Sequence, residues 1–192
     1  MTSHARTLNG ALLGVALATA LPTSPPRAEP PGTKGLLGVF VGRAEEQDPA
    51  DGSPEQRDIE MEITPYQDDG LKVRWTNVTL VDGRRDLPGV KRRRDEITLA
   101  PAPDRSFYLA GIGYDPFKDR EEPNLIQGDP LRWSVVADQS LAIYSFTILE
   151  DGRYELQITR RGPSPDGIKL DFERIVDGEV ARRLTGRAVR AE

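Results

Sequence analysis

The side chains that could perform chemistry in this sequence are mainly arginines and carboxylates. A basic run, Lys-Arg-Arg-Arg, occupies residues 91–94 and is followed by Asp95, and Arg174 follows Glu173. A guanidinium group holds a carboxylate or a phosphate in a two-pronged geometry, so an arginine that faces a cavity would bind an acidic head group. The plainer interpretation is a solvated surface, or pairing of Arg93 with Asp95 or Glu173, because charge runs usually lie on wet faces.

The composition excludes several kinds of catalysis. The sequence has no cysteine and a single histidine, His4. If residues 1–20 are removed, no imidazole or thiol remains for a Ser-His-Asp triad, a Cys-His pair or a histidine metal site. The acidic segment 115–122 misses the spacing of a calcium loop. Asp171 and Glu173 share one face of one predicted strand, with no cleft implied between them. We therefore expect no catalytic residue, no metal and no cofactor.

The first twenty residues have the layout of a secretory signal peptide. Arg6 lies in a weakly positive start, an apolar run covers residues 11–21, and Ala18-Thr19-Ala20 offers a small-x-small cleavage site. The run is too short to span a bilayer as a helix. Residues 21–34 contain five prolines and are predicted to form an extended spacer. We expect an exported protein, periplasmic or secreted, whose domain covers residues 35–192 and has no transmembrane segment.

The charge balance argues against nucleic acid as a partner. Without residues 1–20, 25 basic and 31 acidic residues remain, which gives a net charge near −6. Proteins that bind nucleic acid usually carry a basic surface that neutralises phosphates. The acidic excess therefore predicts a different class of partner.

Apolar residues recur at every second position through most of the predicted domain. Ile59, Met61 and Ile63, for example, alternate with acidic residues, which places one strand face in the interior and the other in water. Asp-Gly pairs such as 177–178 favour tight hairpin turns between neighbouring strands. The predicted strands are 36–44, 57–64, 71–80, 90–99, 106–111, 131–137, 141–149, 154–160, 168–176 and 180–190.

These strands predict an all-β fold, an antiparallel up-and-down meander of roughly ten strands. Closing the sheet into a barrel removes its open edges, and a two-sheet sandwich is the rival solution. Short hairpin connections favour the barrel, since only the segments 45–56 and 112–130 are long enough for the crossovers of a sandwich. The apolar phase shifts between Trp75 and Val78, which predicts a β-bulge near Asn77.

The run Gly38-Val39-Phe40-Val41-Gly42, followed by a long loop, resembles the start of lipocalin-like (calycin) barrels, whose first strand carries Gly-x-Trp. In that family an arginine of the last strand packs over the tryptophan ring. The resemblance implies that Gly38 and Phe40 stand for the glycine and the tryptophan, and that Arg187 or Arg190 is the arginine. It is closest to small bacterial lipocalin-like domains. It implies a barrel that holds a small apolar or amphipathic ligand.

Strand phase predicts which residues line the interior. Arg93 shares the phase of Ile97 and Leu99, and Arg174 shares the phase of Leu170 and Phe172, so both arginines should face inward. An interior of this size is either filled by side chains or holds one small ligand. The further apolar residues predicted inside are Ile59, Met61, Ile63, Val73, Ile158 and Leu170. The predicted ligand-binding residues are Trp75, Arg93, Tyr154, Leu156, Phe172 and Arg174.

Three hypotheses for function follow. The leading one is an exported, non-enzymatic barrel that binds a small amphipathic ligand. The second is a packed barrel that serves as a structural or protein-interaction module of the cell envelope, which predicts a filled interior and an exposed apolar patch at one rim. The third, an enzyme that uses carboxylate or tyrosine acid–base chemistry, needs a cleft that joins Asp95 to Tyr144 or Tyr154. The oligomeric state is not predicted.

Overall fold

The computed structural model describes residues 32–47, 54–103, 107–111 and 123–191. Within these residues ten β-strands account for the regular structure, together with two 3₁₀ turns at Gln67–Asp69 and Leu125–Gln127. The all-β class predicted from the alternation is confirmed. The strands are β1 (Gly38–Gln47), β2 (Gln56–Tyr66), β3 (Gly70–Thr79), β4 (Lys91–Pro101), β5 (Tyr108–Gly111), β6 (Leu131–Ala137), β7 (Ser140–Ile148), β8 (Tyr154–Ser164), β9 (Gly167–Val176) and β10 (Glu179–Arg190).

The ten strands form one closed barrel. Each strand pairs antiparallel with its neighbours in sequence, and β1 pairs with β10 to complete the ring, from Phe40 opposite Arg190 to Gln47 opposite Arg183. This is the predicted up-and-down meander, and the rival sandwich is wrong. Closure leaves no unpaired sheet edge along β1 and β10, where an open meander would expose two.

Tight turns of the predicted kind join the hairpins. The β9–β10 turn uses Asp177 and Gly178 with φ of 54° and 88°, and the β6–β7 turn uses Asp138 and Gln139 with φ of 49° and 60°. Two successive residues with positive φ are the signature of the turn whose twist matches that of paired strands. The local sequence therefore sets the register at these ends of the barrel.

One half of the barrel is packed with apolar side chains. We call it the closed end, and it contains the β2–β3, β6–β7 and β8–β9 turns. Alternation points large apolar residues of β1, β2, β3, β4, β7 and β9 into this half, where burial of a side chain of this size contributes about 2 kcal/mol. The fully buried residues here are Leu36, Phe40, Ile63, Leu71, Val73, Leu99, Leu141 and Ile168.

Arg190 covers the closed end. Its guanidinium carbon lies 4.8 Å from the centre of the Phe40 ring, and Nη1 donates a hydrogen bond of 2.6 Å to the Leu37 carbonyl. Gly38 has φ of 131°, and a Cβ there would collide with Arg190 Nη1. The arginine-over-aromatic arrangement implied by the lipocalin resemblance is therefore present, with Arg190 as the cation. The choice of Arg187 is wrong, because Arg187 is exposed and lies opposite Lys169 on the outer face.

Two details of strand geometry differ from the predictions. No register shift occurs in β3, whose pairs with β2 and β4 run unbroken through Asn77, so the bulge predicted there is wrong. Asn77 continues the inward phase of Trp75, and Val78 faces outward. The irregularity lies instead in β10, between Val180 and Arg182.

Some predictions fall outside the described residues. The signal peptide (1–20) and most of the spacer (21–34) lie there, as does most of the acidic segment between β5 and β6. Across the described part of the chain, no helix has the length and hydropathy needed to cross a bilayer.

Candidate functional site

The half of the barrel opposite the closed end holds a cavity of about 360 Å³. We call this half the open end; it contains the β3–β4, β7–β8 and β9–β10 connections. Known sites for small molecules are concave and begin at about 300 Å³, so this cavity falls at the lower limit of that range. The interior is therefore partly filled and partly hollow.

The cavity wall is apolar on some strands and polar on others. Apolar side chains come from β1, β2, β3, β4, β7, β9 and β10 and include Trp75, Ile97 and Phe172. The wall formed by β8 is polar, because Gln157, Thr159 and Arg161 alternate inward along it. A wall of this kind suits a molecule with both an apolar and a polar part. The remaining apolar lining residues are Ala44, Ile59, Met61, Ile143, Leu170 and Leu184.

Arg161 crosses the barrel and forms the floor of the cavity. It starts on β8, and β3 lies five strands away in either direction around the ring. Its Nε nevertheless donates a hydrogen bond of 2.7 Å to Met61 Sδ on β2, and its guanidinium carbon lies 5.6 Å from the Trp75 ring centre on β3. The residue is 4% exposed. The side chain thus separates the packed closed end from the cavity.

Arg161 has no carboxylate partner in the described part of the chain. Its Nη1 is buried and makes no hydrogen bond there. Removing a cation from water without a compensating anion disfavours the charged form, and burial lowers the pKa of Arg161 to about 10. The group is still a cation at neutral pH, so the cavity has a positive floor.

Most of the arginines closer to the mouth of the cavity are paired; Arg132 is the exception among the described residues. Arg93 contacts Asp95 at 3.6 Å and is 77% exposed, and Arg174 contacts Glu155 at 2.6 Å. Arg57 pairs with Glu55. These pairs neutralise much of the positive charge at the mouth, in contrast to the floor.

A small ion-pair network holds the start of β2 against β10 at this mouth. Arg182 binds Glu46 and Glu55, each at 2.9 Å. Burial alone would raise the pKa of Glu55, but hydrogen bonds from Arg57 and Arg182 outweigh it and hold the pKa below its usual value. Burial alone would lower the pKa of Arg182, and the two carboxylates reverse this. The network fixes the rim on this side of the cavity.

The structure brings four of the six predicted ligand-binding residues to the cavity. Trp75, Arg93, Phe172 and Arg174 all line it. Tyr154 and Leu156 do not, because β8 has the opposite phase: Leu156 lies beside the inward Gln157 and pairs with the outward Phe146. The inward orientation predicted for Tyr154, Leu156 and Ile158 is therefore wrong.

The reason for this error is an apolar outer surface on β6, β7 and β8. The Trp133 and Tyr144 rings stack outside the barrel at 5.1 Å with 5° between their planes, and Phe146 stacks on Tyr154 at 5.9 Å. We call this surface the outer aromatic face. Leu131, which lies opposite Phe146, is 37% exposed on it. On β8, then, the apolar phase faces outward and the polar phase faces the cavity.

Sequence reasoning missed Arg161, although the sequence holds a signal for it. Arg160 and Arg161 are consecutive, and successive side chains of a strand point to opposite faces. One of the two had to face the interior. Arg160 is the outer one, and it binds Glu173 at 2.9 Å.

In the part of the chain that the structure describes, Asp95 does not come together with Tyr144 or Tyr154, the tyrosines considered as its acid–base partners. Asp95 faces the cavity beside Arg93, whereas Tyr144 and Tyr154 both lie on the outer aromatic face. Among the described residues, no three metal-ligating side chains of the His, Cys, Asp or Glu type come together. What the arrangement can do is enclose a small molecule between an apolar wall, a polar wall and a cationic floor.

Comparison with known proteins identifies no family for this chain. Neither the protein-family models nor the curated proteins compared with this chain give a match. What describes the chain is its architecture, a closed ten-strand antiparallel barrel, which is consistent with a lipocalin-like fold.

Proposed function

We propose that this chain is an exported, non-enzymatic, lipocalin-like barrel that binds a small amphipathic ligand in the cavity of its open end. The observation that carries the proposal is the cavity itself, about 360 Å³ in volume, with apolar and polar walls. A barrel that served only as a packed scaffold would fill this space with side chains, as it does at the closed end. Binding is favoured over catalysis because, within the described residues, Asp95 has an arginine and no tyrosine beside it in the cavity.

Ligand binding can be tested with a fluorescent amphiphile. Anilinonaphthalene sulfonate should bind the full chain with increased emission, and a Thr159→Trp substitution should abolish the signal by filling the cavity. The matched control is Arg160→Trp, which adds the same ring on the outer face and should leave binding intact. Equal binding by all three proteins would refute the cavity as the site.

Export can be tested separately. The motivation is the layout of residues 1–20, with Arg6 before an apolar run and Ala18-Thr19-Ala20 at its end. Expression of the full chain in a bacterial host should give a periplasmic protein that begins at Leu21, as read by mass spectrometry. A cytoplasmic protein that retains Met1 would contradict this part of the proposal.

A second candidate, an envelope protein-interaction module, is favoured by the outer aromatic face. Exposed apolar surface of this kind often marks a contact with another protein. On this candidate the dye should still bind when Thr159→Trp fills the cavity, and it should be lost when Leu131→Asp places a charge on the outer aromatic face. The reverse pattern supports the cavity.

A further inference from the structure

We propose that the ligand of this cavity is a monoanionic carboxylate that binds head-down, with its acid group on Arg161 at the floor and its apolar part towards the mouth. This inference rests on the proposed function, since it concerns the same cavity. It names the chemical class of the ligand and its direction, neither of which follows from the cavity volume.

The first argument is that Arg161 is an unmatched cation. It is 4% exposed, it lines the cavity, and its Nη1 has no hydrogen-bond partner among the described residues. Buried charges in proteins are normally paired, because an unpaired one loses its hydration without compensation. An anion that enters the cavity would supply the missing partner.

The second argument concerns the number of charges. Arg57, Arg93, Arg174 and Arg182 already contact carboxylates of the chain itself. Arg132 also lines the cavity and has no ion pair in the described part of the chain. Its register partner on β7 is Ser145, however, whereas that of Arg161 is Leu141. Ser145 and Leu141 are four residues apart on β7, so the backbones of Arg132 and Arg161 are offset by about 13 Å along the strand direction.

A single unpaired cation at the floor favours a single negative charge in the ligand. The Nε of Arg161 is engaged by Met61 Sδ, which leaves its two terminal nitrogens for a new partner. Two parallel N–H groups match the two oxygens of one carboxylate. A dianionic phosphate would need a second cation beside Arg161, and the described residues place none there.

The walls between the floor and the mouth determine the direction in which the ligand lies in the cavity. Thr159 and Gln157 follow Arg161 upward on β8, and the apolar side chains of Ile97, Phe172 and Leu184 face the same space. A carboxylate at the floor therefore leaves an alkyl or ring portion in contact with these apolar groups. The opposite direction would pair the acid with Arg93 or Arg174, which already have carboxylate partners, or with Arg132. Arg132 is only half-buried and keeps contact with water, whereas Arg161 is 4% exposed, so Arg161 gains more from an anion.

The test compares three probes with the same chain and different head groups: octanoate, octanol and octylamine. Binding to the full chain is measured by calorimetry and by the change in tryptophan fluorescence, to which Trp75 in the cavity and Trp133 on the outer face both contribute. We expect octanoate to bind at least about tenfold more tightly than octanol, and octylamine to bind most weakly. Arg161→Met should remove the preference for octanoate while octanol still binds.

Three further variants complete the design. Arg161→Lys keeps the charge but loses the two-pronged geometry, so it should retain part of the preference and also shows whether the position tolerates change. Arg160→Met, on the outer face, should behave as the unaltered chain. Arg93→Met tests the mouth and should keep the preference for octanoate.

The outcomes separate the two proposals. If octanoate and octanol bind equally, or if Arg93→Met rather than Arg161→Met removes the preference, the cavity binds ligands but the assignment to Arg161 is refuted. If none of the three probes binds, the proposed function fails and the inference fails with it.

Discussion

Replacing Arg161 with methionine should make the protein more stable while it loses its proposed ligand. Burial lowers the pKa of Arg161 from its usual value to about 10, which means that the buried cation is disfavoured by about 3 kcal/mol, at 1.36 kcal/mol per pKa unit. Methionine keeps most of the apolar stem and carries no charge. It forfeits the contact of the guanidinium with the Trp75 ring and the hydrogen bond to Met61 Sδ, each worth about 1 kcal/mol. We therefore expect the free energy of unfolding to rise by about 1 kcal/mol.

The assay is urea unfolding of the full chain at pH 7, followed by far-ultraviolet circular dichroism. The control Arg160→Met removes an outer ion pair with Glu173 and should lower stability by at most about 1 kcal/mol. A gain in the Arg161 variant over the unaltered chain supports the reasoning. A loss larger than that of the control would refute it, since Arg161 would then be satisfied rather than unmatched.

Arg161→Met and the unaltered chain should also differ in how the free energy of unfolding depends on pH. Because the pKa of Arg161 is lower in the folded than in the unfolded state, the free-energy cost of its buried charge is fully present below pH 10 and decreases as the pH rises above about 10. The advantage of Arg161→Met should therefore shrink over this range. Other groups titrate there too, but they are common to both proteins and cancel in the difference.

Three other predictions concern the barrel itself. Arg190→Ala should lower the free energy of unfolding, measured in urea, by about 1–2 kcal/mol, because the contact with the Phe40 ring and the hydrogen bonds to two backbone carbonyls are lost. The control Arg187→Ala should change it by less than about 0.5 kcal/mol. Hydrogen bonds from Arg160 and Arg183 hold the pKa of Glu173 below its usual value. Its contribution to the free energy of unfolding is therefore present above about pH 4.5 and lost as the pH falls through the folded-state pKa. Glu173→Gln should flatten the decline in melting temperature between about pH 5 and pH 3. Gly42→Ala should cost about 1–3 kcal/mol in thermal unfolding, because its Cβ would meet the backbone of β10, whereas Gly162→Ala meets only a side chain that can rotate and should cost less.

Alternation was sufficient to predict the barrel from the sequence. Strands such as β2, with Ile59, Met61 and Ile63 between acidic residues, face the core on one side and water on the other, so period-two patterns report their orientation directly. The Asp-Gly turns then fix which strands are neighbours. Where a strand has one face in water and one in the core, its own sequence is enough to predict which residues face inward.

The failure on β8 has a physical cause. Its apolar phase, with Tyr154 and Leu156, packs against the outer side chains of β7, and its polar phase lines a cavity. A rule that places apolar residues inside assigns the wrong face to such a strand. Only the neighbouring strands, or the pair Arg160-Arg161, carry the information that the interior is polar there.

The cavity could not be predicted for a related reason. Whether an interior is filled depends on how far each side chain reaches across the lumen, and this is a property of the assembled ring. Arg161 illustrates the point, since its partners Met61 and Trp75 belong to strands on the far side of the barrel. Nothing in the local sequence of β8 specifies those contacts.

The junction between the first and last strands has a consequence for how the molecule is made. Leu37 and Arg190, which meet there, are 153 positions apart in the chain. Contacts between such distant segments are entropically expensive to form, and folds that depend on them assemble slowly. A nascent polypeptide would carry β1 with one unpaired edge until β10 has been synthesised. β10 therefore closes the barrel, and a chain truncated before it should form an aggregation-prone open sheet rather than a smaller stable barrel.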